Sequence, residues 1–179
     1  TLQSFNTGPI NVSNTNPMAG QTLNIITNNS AVLNVDLGGT NFVRSIGGVM
    51  DANLDQLSNT FIANNNGGFG LGTVNVLAGN INMQVNGSLT DTNGAGVRNF
   101  NVLNLTNITV GGNMDADINA TQGIDNMDVG GSANLRSQTD LCWSNITVGS
   151  VANIQSDTNL LVGNTSAPSI VLNTTGNII

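Results

Sequence analysis

Fourteen of the 179 side chains can ionise: ten Asp, three Arg (Arg44, Arg98 and Arg136) and Cys142. Lys, Glu, His and Tyr are absent. No remaining group has an ordinary pKa near neutrality, so proton shuttling at physiological pH has no carrier. Imidazole metal sites, Ser-His-Asp triads and Lys Schiff bases are excluded. What is left is carboxylate chemistry. Asn113, Asp115, Asp117 and Asn119 alternate along the chain, and alternate residues of a strand share one face. The row reads either as oxygen ligands for Ca²⁺, with Asp115 and Asp117 as its charged members, or as a solvated polar face. Neither an EF-hand loop nor a Gly-Asp nonapeptide is present. Asp115 and Asp117 with Arg98 or Arg136 would also serve a polysaccharide-acting β-helix enzyme. Trp143 and five Phe offer no aromatic platform for a sugar, however, and the sequence predicts no catalysis.

The formal charge is −7, without Lys and without an Arg cluster. Neither phosphate neutralisation nor a polybasic patch can be built, which argues against nucleic acid or an anionic membrane as partner. At 39% hydrophobic residues the chain should fold, because a solvated coil is poorer in Val, Ile and Leu. No apolar run approaches the roughly 20 residues of a membrane span. The chain begins at Thr1, as a mature secreted protein would.

What positions these residues is a repeat. Asn107, Asn126, Asn145 and Asn164 recur every 19 residues. They are followed in register by Ile108, Met127 and Ile146, then Val110, Val129 and Val148, then Gly111, Gly130 and Gly149. Apolar residues alternate within each copy, the pattern of strands with one buried face. Asn, Gly and β-branched content excludes helix. Earlier copies are weaker. The run from Ile46 to Asp55 matches that from Val110 to Asn119; residues 77–86 read as a third copy; and Asn34-Val35-Asp36-Leu37-Gly38-Gly39 mirrors Asn126-Met127-Asp128-Val129-Gly130-Gly131. Uneven intervals assign insertions to the Asn/Gly-rich stretches 63–72 and 86–96.

A unit of this length, made of short strands and Gly or Asn corners, cannot bury its apolar face alone and must stack on its neighbours. The expected fold is all-β, a parallel β-solenoid (β-helix) of about nine coils if fully regular. Residues 1–179 form one domain: an irregular coil or docking segment over 1–30, irregular coils over 31–106 and regular coils over 107–179. Stacked about 4.8 Å apart, Asn107, Asn126, Asn145 and Asn164 are expected to form an amide ladder along the axis. Arg98, Asp117 and Arg136, one coil apart, are expected to form an outward column of alternating charge. Cys142, flanked by Leu141 and Trp143, reads as a small apolar filler or an intermolecular bridge; it cannot form an intramolecular disulfide. The Asn-x-Ser/Thr sequons at Asn11, Asn28, Asn86, Asn104, Asn119 and Asn173, and those on the ladder, would accept glycans on a secreted protein.

The runs Val148-Gly149-Ser150-Val151-Ala152-Asn153-Ile154-Gln155-Ser156 with Leu160, and Val129 to Ser137 with Leu141, resemble the repeats of secreted bacterial surface β-solenoids, in particular filamentous-haemagglutinin-type adhesins. More distantly, Gln122, Gly123 and Asn126 are similar to the signature of curli fibre subunits. The resemblance implies a surface fibre or adhesin, carries over no catalytic residue, and allows cell-surface glycans as partners.

At the ends, Leu2, Phe5 and Ile10, and Ile170, Leu172, Ile178 and Ile179, are apolar and carry no charged edge residue. Open solenoid ends without charge invite head-to-tail stacking, which does not close and produces a filament. The expectation is an extracellular structural subunit that polymerises with itself; the alternative is a monomeric carbohydrate- or ice-binding solenoid.

Overall fold

The structure is a computed structural model. It describes the backbone of residues 2–4, 10–13, 22–27, 32–37, 40–45, 50–56, 60–64, 69–91 and 93–179, and the side chains of residues 74, 80–91 and 93–179. Phe5, Asn28, Gly38, Gly39 and residues 46–49 lie outside the described residues.

Every pairing between the described strands is parallel, and the strands alternate between two walls. The first wall runs β1 (Leu2–Ser4), β3 (Thr22–Thr27), β5 (Thr40–Ser45), β7 (Thr60–Asn64) and the second half of β8 (Phe69–Val85). It continues through the later part of β10 (Phe100–Val110), whose first residues Phe100–Val102 pair instead with β8 and β11 on the second wall, and through β12 (Ile124–Val129), β14 (Leu141–Val148) and β17 (Asn164–Ser166). The second wall holds β2 (Ile10–Ser13), β4 (Val32–Leu37), β6 (Met50–Gln56), the first half of β8 and β9 (Leu89–Asp91). Beyond these stand β11 (Met114–Ala120), β13 (Ala133–Ser137), β15 (Val151–Ser156) and β18 (Ser169–Thr174). A short third side, β16 (Leu160–Leu161), pairs with the start of β14. This is a β-solenoid.

One register column counts the coils: Leu2, Ile25, Val43, Ile62, Met83, Ile108, Met127, Ile146 and Thr165 are successive partners on the first wall. From Ile108 onward the interval is 19 residues, giving about four regular turns.

Alternation explains the core. In β13 the burial pattern puts Ala133, Leu135 and Ser137 inside and leaves Asn134 and Arg136 half-buried. Ile108, Met127 and Ile146 face Ala116, Leu135 and Ile154 in one continuous core, each 3% exposed or less. Glycine at the corners permits this spacing. A Cβ on Gly130 would strike the carbonyl oxygen of Gly111, and one on Gly149 that of Gly130.

Three expectations about the irregular half need correction. Residues 77–86 are not a third copy in the expected phase, because the register partner of Val110 is Val85, at the end of that stretch, and not a residue near its start. Asn34 pairs with Asn53 on the second wall, whereas Asn126 stands on the first, so their shared sequence pattern is not positional equivalence. The stretch 63–72 is largely strand: β7 reaches Asn64 and β8 begins at Phe69. Local apolar alternation is the same on either wall, so the match of one copy to another does not reveal which wall it belongs to.

Candidate functional site

Three arrangements carry the chemistry. The first is the amide column on the outer face of the first wall. Asn126 Nδ2 donates to Asn107 Oδ1 (3.4 Å), Asn145 Nδ2 to Asn126 Oδ1 (3.1 Å) and Asn164 Nδ2 to Asn145 Oδ1 (3.0 Å). Asn107 in turn donates to Asn82 Oδ1 at 2.9 Å, so the ladder has five members. Asn82 is hidden in the sequence because it precedes Asn107 by 25 residues, outside the regular interval. A second ladder, also unforeseen, links Asn153 to Asn134 (3.0 Å) and Asn134 to Asp115 (2.9 Å) on the second wall. Asn107, Ile108, Thr109, Asn126, Met127, Asp128, Asn145 and Thr147 line a shallow groove of about 200 Å³.

The second arrangement surrounds Arg136. Its guanidinium meets Asp91 Oδ2 at 3.0 Å, Asp115 Oδ1 at 2.5 Å and Asp117 Oδ2 at 3.0 Å. Asp117 and Arg136 are register partners. Arg98 does not complete the column. The step from Phe100 to Ile118 is 18 residues, so Asn99 and not Arg98 stands before Asp117, and Asn99 Oδ1 accepts from the Asp117 amide at 2.7 Å. Nor is the column outward in the sense of solvated: Asp117 is 4% exposed and Asn99 0%. The cover is the segment 93–98, which leaves the wall after Asp91. Burial alone would lower the affinity of Arg136 for its proton, but its hydrogen bonds to Asp117 and Asp115, and their charges, hold the pKa above the ordinary guanidinium value.

These contacts also engage the alternating row. A guanidinium occupies the position between Asp115 and Asp117. Asn119 donates to Asn101 and accepts from Thr139, while Asn113 Oδ1 accepts from the Ser132 amide. Among the described residues no cluster of three or more His, Cys, Asp or Glu is placed to hold a metal.

The third arrangement is the last coil. Leu141, Leu160 and Ile178 form one column, and their exposures are 0%, 0% and 54%. Ala152 and Ile170 are register partners at 0% and 44%. Ile179 is 72% exposed, and Leu172 is partly buried against the core one coil beyond Ile154. Core positions thus become surface at this face. At the other end Leu2 and Ile10 stand in β1 and β2, paired with Ile25 and Leu33.

Cys142 is not a core filler. It stands half-buried between the buried Leu141 and Trp143, its thiol donating to the Gln122 carbonyl. Burial raises its pKa, and Asp140 and Asp125 add to the rise. Among the sequons with described side chains, Asn86 and Asn173 are exposed, Asn119 is held by Asn101, and Asn104 is 7% exposed with its amide on Asp125. Asn11 lies in β2 in register with Asn34.

No family model, curated protein or solved structure matches this chain.

Proposed function

We propose that the chain is a secreted structural subunit that stacks head-to-tail with copies of itself into an extracellular filament, its outer face available for adhesion. The observation carrying this reading is the in-register stack itself: from Asn107 to Asn164 equivalent strands pair in parallel and their amides bond from coil to coil, a pairing that a further copy can extend. A coil stacked on β17 and β18 would bury Ile170, Ile178 and Ile179 at about 25 cal/mol per Å² of apolar surface covered. Native edges are normally guarded by Lys or inward charge, and this chain has no Lys.

The repeat's resemblance to filamentous-haemagglutinin-type adhesins agrees with the reading. So does the ladder chemistry, because Asn can stack on itself where identical charges would repel. Electron microscopy of the purified 179-residue chain tests it. Filaments that disappear in an Ile170→Asp, Ile178→Asp double variant are expected; a dispersed monomer at high concentration in neutral buffer would overturn the proposal.

A further inference from the structure

Between Asp91 and Asn99 the chain leaves the second wall and lies over the next coil. Described residues 93–98 form a strap across the outer face of β11. Its apolar anchorage is slight: Val97 is 51% exposed, and residues 94–96 are exposed as well.

Polar contacts hold the strap down. Gly96 N donates to Asp117 Oδ2 at 3.1 Å, and Gln138 Nε2 donates to the Gly96 carbonyl at 2.7 Å. At the strap's root, Asp91 Oδ1 accepts from the Asn93 and Gly94 amides and from Asn99 Nδ2 (2.8, 3.1 and 2.9 Å). Asp91 Oδ2 then accepts from Arg136 Nη2, 45 residues on. The strap's base, the carboxylate it covers and a strand two coils away therefore meet at one guanidinium.

We propose that Arg136 is a latch: it holds the 93–98 strap closed over Asp117, and its release opens the strap and exposes the Asn99–Asp117 face of the second wall while the stacked coils stay folded. The geometry separates the two events. The neighbours of Asp117 and Arg136 along the strands, Ala116, Ile118 and Leu135, belong to the buried core cluster, and that cluster contains no residue of the strap. Lys could not replace the arginine, because an ammonium lacks the planar fork that reaches three carboxylates at once.

Trypsin reads the latch directly, since the chain has no Lys and its Arg are Arg44, Arg98 and Arg136. Arg98 belongs to the strap. Cleavage after Arg98 is followed by mass spectrometry in the wild type, Arg136→Gln and Arg136→Lys, alongside emission of Trp143, which is 5% exposed in the regular coils. The latch predicts cleavage after Arg98 at least about tenfold faster in both variants, with Trp143 emission unchanged. Unchanged cleavage overturns the proposal. So does acceleration accompanied by loss of the buried Trp143 signal, which would make Arg136 a support of the whole stack. Gln138→Ala, which removes one strap contact and no carboxylate partner, is expected to give a smaller acceleration with the same Trp143 emission; an acceleration as large as that of Arg136→Gln would place the latch at Gln138 and overturn the assignment.

Discussion

An amide is the side chain that can repeat every coil without cost from charge, and Asn145 shows how. It donates to Asn126 and accepts from Asn164. Hydrogen bonds of this kind contribute about 0.5–1.5 kcal/mol net each, so Asn145→Ala, which removes two, should cost about 1–3 kcal/mol in urea unfolding; no loss would make the ladder ornamental. Asp140 gives a prediction in pH. Hydrogen bonds from Thr158, then from the Asn159 backbone and side-chain amides, lower its pKa. A carboxyl whose folded pKa is depressed stabilises above the ordinary carboxylate range, and that contribution is lost as pH falls through the folded value. Melting curves of wild type and Asp140→Asn should therefore differ above about pH 4 and converge in stronger acid; a constant gap would contradict the assignment. Ladder residues were legible in the sequence because four of them keep one interval. Of the Arg136 partners, Asp117 was legible from the same interval; Asp91, 45 residues away, was not, and the one-residue slip that seats Asn99 in place of Arg98 leaves no mark in composition or pattern.

At the scale of strands, alternation alone gave the inward residues of β11 to β15, and the constant period gave their stacking. What it withheld was wall identity and phase in the irregular half, because both walls alternate alike. The steps from Ile62 to Met83 and from Met83 to Ile108 are both longer than that from Ile108 to Met127, and β10 meets β8 through register shifts between Val102 and Asn104 and between Leu105 and Asn107. The regular coils owe their tightness to glycine corners. Gly130→Ala would push a methyl into the Gly111 carbonyl, and overpacking of this sort costs about 1–3 kcal/mol. Thermal unfolding should show the loss, and a neutral result would mean that the corner yields. Leu135, 0% exposed between Ala116 and Ile154, is the corresponding test inside: Leu135→Ala should cost about 2–5 kcal/mol, and a cost below about 1 kcal/mol would contradict so closed a core.

Across the whole molecule, nine successive strands of the first wall, with parallel pairing between all the described strands, make a stack in which each coil repeats the one before it. The scarcity of charge in the sequence takes its meaning there, since a stack in register repeats each side chain on itself. Assembly should continue the stack across the junction, with the last coil of one copy covered by the first of the next. The most direct measurement is fibre diffraction, or the power spectrum of electron micrographs, from assembled protein. A strong meridional reflection at about 4.8 Å and a subunit repeat of about 43 Å, the rise of nine coils at that spacing, are expected. A monomer that never assembles, or filaments in which the strand-spacing reflection is not along the axis, would contradict this assembly.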